Sequence, residues 1–497
     1  MTVERAAKNI GWVFGAYVVR RLVRLGYMAT FAQVLKPYGF GSYIFLLSLV
    51  ETVASTCALG LNLFLMRRLN RDRADAASFV SRVFSLNLAS AALFTVGLLV
   101  LAPFTRYGGD VKTAMLVMGL TIVPVAIVAI LHSTSAAYER LWIFAVLENT
   151  TPLVEAAVGL VLLRTGFGLV SLCTLHLVLW WLYALLFFVL VRRRILRFGV
   201  VFDWRAWMTY LRQSWQIWAF TAQAILYVNF GVIILSVLTG NDNVGYFGVA
   251  AIFVEVVRYA AMSFSWAAFP YMVRAWHREA EELRRFHESC VRLVAAAAVP
   301  VGILGLLLTA PMLRLLFGVQ YLASIRVLQV LSWMVFPLMF DQILPQVCFA
   351  AGHSLLPVLG HGIMNTLRIV LSVVLVIWFG ERAPEGLAWA QLLTGLACFV
   401  VYTTLIRRYI YRFRAAEALA RVALAAGVPV LLLLVLRDRM NVLLLAALTL
   451  AAFAAGVYLF RVFTAREVEI IRRAILSFRR RTPDVVQAEV EDRYDPE

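Results

Sequence analysis

The sequence predicts an all-α integral membrane protein, and three observations predict it. Of its 497 residues, 62% are hydrophobic and 15% charged, against roughly 45–50% and about 25% in an ordinary soluble domain. Apolar runs long enough to cross about 30 Å of hydrocarbon recur along the whole chain. Arginine clusters fall between alternate pairs of those runs. A water-soluble core is excluded, because no globule of this size hides so much apolar surface. Intrinsic disorder is excluded by the same composition.

The runs number fourteen: 10–35, 41–66, 79–102, 113–133, 143–163, 168–191, 213–238, 245–273, 288–309, 324–350, 355–379, 385–406, 418–436 and 441–463. They are continuously apolar rather than alternating, which excludes a β-barrel. Arg20, Arg21 and Arg24 interrupt the first run, so a span is expected there rather than a cleaved signal. Pro337 and Pro345 break the tenth, where a kink is expected. Loops are short; the longest, 192–212, has room for a surface helix carrying Trp204 and Trp207.

Orientation follows from the 46 Lys and Arg residues. With the N-terminus in the cytoplasm, and residues within five of a run's end counted with the adjacent side, 32 fall on the cytoplasmic side, 9 outside and five deep within spans. The positive-inside rule therefore places both termini in the cytoplasm. Arg67-Arg68, Arg192-Arg193-Arg194, Arg284-Arg285, Arg407-Arg408 and Arg479-Arg480-Arg481 all lie on that side. The net charge of +18 is thus topological and lipid-facing, and nucleic-acid binding is not expected. Past the last span, 464–481 reads as a basic amphipathic helix and 484–497 as an acidic tail.

Other function classes fall away on inspection. Only three cations are lysines, and Lys8, Lys36 and Lys112 follow Ala7, Leu35 and Val111, so none sits in a phosphate-binding P-loop. Cys57, Cys173, Cys290, Cys348 and Cys398 are scattered, giving neither a disulfide framework nor a metal motif. The external loops hold little beyond Arg106, Asp110, Asp242, Glu381 and Arg382, which argues against an external active site and against an enzyme.

An internal repeat organises the spans. The second opens with Gly41 and reaches Glu51 ten residues on; the eighth opens with Gly245 and reaches Glu255 ten residues on. The offset of 204 residues and six spans keeps both copies in one orientation. Two six-helix lobes related by an axis along the membrane normal are expected. The lobes would be 1–200 and 201–410, followed by two extra helices over 411–463 and the tail 464–497.

Ionisable residues inside a membrane are expensive and mark candidate sites. Tyr17, Arg20, Arg24, Tyr27 and Phe31 share one helix face. Snorkelling to the surface suits Arg20, but Arg24 lies too deep for it. Glu255 and Arg258 stand at i, i+3, where a local ion pair competes with a role in binding. Glu51 has no neighbour in sequence to pair with. His361, Asn365 and Arg368 share a face of the eleventh span, and Asp341, Gln342 and Gln346 follow the Pro337 break. Gln216, Gln223 and Tyr227 face the same way on the seventh. His176 reads as a packing residue, and Glu148 and Glu155 read as too near the ends of their span to assign. A cavity richer in arginine than in carboxylate wants an anion, and the guanidinium fork suits phosphate.

The chain resembles the polysaccharide-biosynthesis, Wzx-type flippase branch of the multidrug/oligosaccharidyl-lipid/polysaccharide exporter (MOP) superfamily. The residues that carry the resemblance are the arginine-bearing first helix and the turn Leu35-Lys-Pro-Tyr-Gly-Phe-Gly-Ser-Tyr43. The segments Leu59-Gly-Leu-Asn-Leu-Phe-Leu-Met-Arg-Arg68, Val244-Gly-Tyr-Phe-Gly-Val-Ala250 and Phe269-Pro270 fit as well. The resemblance spans roughly residues 5–463. It implies a MATE-like fold of about fourteen helices and alternating access to a cationic central cavity. It implies a substrate too: an oligosaccharide on undecaprenyl diphosphate, such as an O-antigen or exopolysaccharide repeat unit. The unit would move from the inner to the outer leaflet of a bacterial inner membrane, beside polymerase or glycosyltransferase partners. By the same resemblance, Arg20, Arg21 and Arg24 contact the diphosphate and Arg258 maps to an arginine used in the eighth span; Arg368, Tyr17 and Tyr27 join them as substrate-contacting candidates from their own helix faces. Glu51, Glu255 and Asp341 are the candidates for proton or sodium coupling, and no other cofactor is implied. Lipid II, a teichoic-type precursor or a drug would suit the same fold, as would a membrane role in a polysaccharide synthase or export complex. The motifs of the lipid II branch are not evident.

Overall fold

The computed structural model describes residues 3–463, apart from 74, 354, 414 and 437–439. The side chains of 3–23, 141–145, 220, 266–267, 415–416 and 418 also stand outside the description. The expected basic helix over 464–481 and the acidic tail over 484–497 lie outside the described residues.

Among the described residues every regular element is helical. In order these are α1 (Val3–Cys57), α2 (Leu61–Arg71), α3 (Ala76–Leu101), α4 (Gly109–Gly119), α5 (Ile122–Ala137), α6 (Leu141–Arg164), α7 (Leu169–Arg194) and α8 (Trp204–Thr239). There follow α9 (Asn241–Arg278), α10 (Ala280–Leu316), α11 (Ser324–Leu331), α12 (Val335–Ala350), α13 (Leu355–Phe379), α14 (Ala383–Tyr409), α15 (Ala415–Leu436) and α16 (Val442–Leu459). The apolar runs form helices because a backbone in hydrocarbon must satisfy its own N–H and C=O groups. Their outward faces keep large apolar side chains exposed, among them Leu93, Val178, Leu434 and Tyr458.

Twelve stretches among the described residues are long and apolar enough to cross a membrane, where the hydropathy runs gave fourteen. The two counts part where runs are continuous in helix. Arg24–Cys57 passes through a kink at Lys36, and Leu355–Tyr409 holds both α13 and α14, joined by one 3-10 turn. Other runs are split. The run 41–66 breaks at Leu59 and Gly60, both at positive φ, and the Trp218 backbone packs onto that break. The run 324–350 divides into α11, a 3-10 turn at Ser332–Met334, and α12. Pro337 explains that division, because it has no N–H for the carbonyl four residues back and its ring crowds it. The expected surface helix at Trp204 and Trp207 is instead the first part of α8. There Tyr210 packs on Phe79 and Phe64 with ring centroids 5.4 and 5.8 Å apart.

The 204-residue offset reappears in the backbone. Lys36 has φ 59° and ψ 174°, and Gly240, at the elbow between α8 and α9, has φ 92° and ψ 171°. Pro37 disfavours the helical conformation at Lys36, whereas Gly240 adopts positive φ without a Cβ penalty. Just beyond the elbows α1 and α9 cross at Gly41 and Gly245. A Cβ on Gly41 would stand 1.8 Å from the Asn241 carbonyl oxygen, and one on Gly245 2.1 Å from the Pro37 carbonyl oxygen. Since 37 and 241 also differ by 204, the contact is reciprocal.

Hydrogen bonds seal that end. Asn241 Nδ2 donates to Ser42 Oγ at 2.8 Å, and the Tyr321 hydroxyl donates to the Ala32 carbonyl at 2.9 Å. Gln33 Nε2 donates to the Leu316 carbonyl at 2.7 Å. The apolar cores follow the same plan. One draws its buried members from residues 61–210 and another from 272–413, while a third straddles α1 and α9. Helices α15 and α16 pack together and against α10.

Candidate functional site

The site is built where α1 meets α9. Arg24 Nη1 lies 3.3 Å from Glu255 Oε2, with both side chains about one-third exposed (34% and 30%). Glu255 therefore reaches across to α1, and the alternative of a pair with Arg258 one turn away is not the arrangement adopted. Arg258 makes no ion pair with any described residue. Its guanidinium is left to line a cavity.

Two polar cavities flank the pair. The first, about 260 Å³, is lined by Arg24, Tyr27, Tyr43, Glu148, Glu155 and His176 among others. Within it, Glu155 Oε1 accepts a hydrogen bond from the Tyr43 hydroxyl at 2.8 Å and lies 2.8 Å from His176 Nδ1. Glu155 is 8% exposed. Glu155 sits in the interior of α6 rather than near a span end, and His176 is its partner rather than a packing residue. A signal for this pair existed. Glu155 and His176 stand at similar distances either side of the 165–168 turn, so a helical hairpin brings them to one depth.

The second cavity, about 230 Å³, gathers residues from five helices: Gln223 and Tyr227 (α8), Arg258 (α9), Asp341 and Gln342 (α12), His361, Asn365 and Arg368 (α13), and Gln391 (α14). Gln223 and Tyr227 line one cavity with His361, Asn365 and Arg368, whereas Gln216 and Gln346, named beside them in the sequence, are not among its lining residues, and Gln391 was not singled out. Arg368 is buried, with its guanidinium carbon 4.0 Å from the Tyr227 ring centre. Asp341 accepts from Gln342 Nε2 at 3.2 Å and lies 3.9 Å from His361 Nε2. Asn365 Nδ2 donates to the Gln223 carbonyl at 3.3 Å, and its Oδ1 has no partner among the described residues. An apolar groove of about 200 Å³ between α9 and α10 shares Val254, Met334 and Leu338 with this cavity.

The excess of arginine over carboxylate expected of one central cavity is found in the second cavity, where Arg258 and Arg368 face Asp341. In the first, the described residues supply Arg24 against Glu148 and Glu155. Tyr17, Arg20 and Arg21 lie on the first limb of α1, and their side chains are outside the described residues. Glu51 is exposed and accepts from Asn229 Nδ2 of α8 at 3.2 Å, a partner from another helix.

The fold is that of multi-pass membrane transporters and flippases. The solved structure of the lipid II flippase MurJ in an inward closed conformation is 13% identical, with a TM-score of 0.71 over 93% of this chain and 99% of that one. An inward-facing multidrug resistance MATE family transporter of the MOP superfamily is 12% identical, with a TM-score of 0.59 over 78% and 95%. A eukaryotic MATE transporter is 10% identical, with a TM-score of 0.53 over 84% and 99%. No curated protein matches the sequence. A family profile described as polysaccharide biosynthesis protein matches residues 30–326, more than half of the chain, and the chain belongs to that family.

Proposed function

We propose that the protein is a flippase that carries an undecaprenyl-diphosphate-linked oligosaccharide from the inner to the outer leaflet of a bacterial inner membrane. The observation that carries this reading is the Arg24–Glu255 pair on the α1–α9 seam, with a polar cavity on either side. Membership of a polysaccharide-biosynthesis family and a transporter fold support it.

In the proposed cycle, 1–200 and 201–410 act as two lobes, with 411–463 as an appendix. The diphosphate enters from the cytoplasm and displaces Glu255 from Arg24. Arg258 supplies the second cation, with Arg20 and Arg21 along the same limb of α1, and Tyr17 and Tyr27 beside them. The guanidiniums replace the hydration of the diphosphate. The polyprenyl chain stays in lipid and along the apolar groove. The sealed Gly41–Gly245 end, the outer one if the basic clusters face the cytoplasm, then opens while the other end closes. Glu51, Glu255 and Asp341 are candidates for a coupling proton or sodium ion. Polymerases or glycosyltransferases are the proposed partners in the membrane.

The test is complementation. Cells lacking the gene should accumulate lipid-linked oligosaccharide in the inner leaflet. The wild-type gene should relieve this; Arg24→Ala and Arg258→Ala should not, despite normal protein levels. Full relief by the Ala variants of Arg20, Arg24 and Arg258 would remove the site.

A further inference from the structure

We infer that the second cavity is the seat of the sugar ring next to the diphosphate, a hydroxyl-recognising pocket that adjoins the phosphate site through Arg258. The inference rests on the flippase reading and assigns a role to Gln223, Asn365 and Gln391, which that reading leaves idle.

The chemistry of the lining carries it. A diphosphate offers only acceptors, so its ideal pocket contains donors alone. This cavity mixes donors with acceptors: the Asp341 carboxylate, the amides of Gln223, Gln342 and Gln391, and Asn365. Those acceptors repel phosphate oxygens but match hydroxyls, which donate and accept at once. The Arg368 guanidinium carbon stands over the Tyr227 ring, 4.0 Å from its centre, so part of its charge is met by an aromatic face.

Unsatisfied polarity is the second observation. Asn365 is 5% exposed and its Oδ1 has no described partner. Gln391 is 7% exposed, lines the cavity, and makes no hydrogen bond with a described residue. Buried amides without partners are costly unless water or a ligand meets them. A volume of about 230 Å³ suits a ring rather than an oligosaccharide.

Position is the third. Arg258 lines this cavity one helical turn from Glu255, which binds Arg24. A diphosphate bridging Arg24 and Arg258 would therefore present its first sugar to Gln391, Asn365 and Asp341.

The experiment measures binding to the full chain in lipid nanodiscs. The probes are bare undecaprenyl diphosphate and the same lipid carrying one hexose, one N-acetylhexosamine or one hexuronic acid. Wild type should bind at least one glycosylated lipid at least about tenfold more tightly than the bare lipid, the equivalent of about one or two net hydrogen bonds. Gln391→Leu and Gln223→Leu should each cut that ratio to under about twofold within the same variant. The proposal is overturned if wild type binds all four lipids equally, or if both variants keep the full ratio, as a merely water-filled cavity would. If neither variant folds, the wild-type comparison alone decides. Failure of wild type to bind bare or glycosylated lipid would sink the flippase reading itself, a different outcome from equal binding.

Discussion

Individual side chains divide into buried pairs and accessible ones, and the difference sets what each substitution does. The Glu155 carboxylate is held by Tyr43 and His176 with almost no exposure. Glu155→Gln keeps the shape but weakens both bonds, and should lower stability by about 1–3 kcal/mol. Glu51 is exposed with one bond from Asn229, so Glu51→Gln should cost less than about 0.5 kcal/mol. Thermal unfolding of the purified variants compares the two, and equal losses would contradict this ranking. At this scale the sequence was only partly legible. The depth of Arg24 could be read from helical rise, but its partner lies 231 residues away, and a local i, i+3 alternative was equally consistent with the pattern. Gln391 carried no signal, because one glutamine in an apolar helix looks the same whether it meets a helix or a cavity.

Among elements, the repeat that relates α1 to α9 was the most legible feature. The spacing of Gly41, Glu51, Gly245 and Glu255 announced a repeat, and both elbows obey the same offset. What spacing could not convey is that the repeated glycines touch each other. With backbone oxygen 1.8 Å from where a Cβ would sit, Gly41→Val must push α1 and α9 apart at that end. Asn241, 1% exposed, should then open to solvent. Labelling of a cysteine at Asn241 by a membrane-impermeant maleimide should rise several-fold in the Gly41→Val background; unchanged labelling would mean that the helices part elsewhere. Spans were legible as apolar runs, but breaks inside them were not always so. Pro337 foretold one, whereas the Leu59–Gly60 break depends on the Trp218 backbone packing against it.

For the whole molecule, the proposed cycle requires the two halves to separate where they are now bonded. Ser42 and Asn241 lie within one hydrogen bond of each other across that contact. Replacing both by cysteine should give a disulfide that stops transport, and a reductant should restore it; transport that persists in the oxidised form would exclude rocking about this seam. The family and the fold were both recognisable from residue patterns spread over most of the chain, because hydropathy and basic clusters are written along the sequence. The pairing of Arg24 with Glu255 has an electrical meaning for the same cycle. With Arg24 neutralised by Glu255, that guanidinium adds no net charge to the reset of an unoccupied carrier. Cargo adds the negative charge of the diphosphate itself, so voltage, worth about 2.3 kcal/mol per charge per 100 mV, would act on the loaded stroke through the cargo rather than through Arg24.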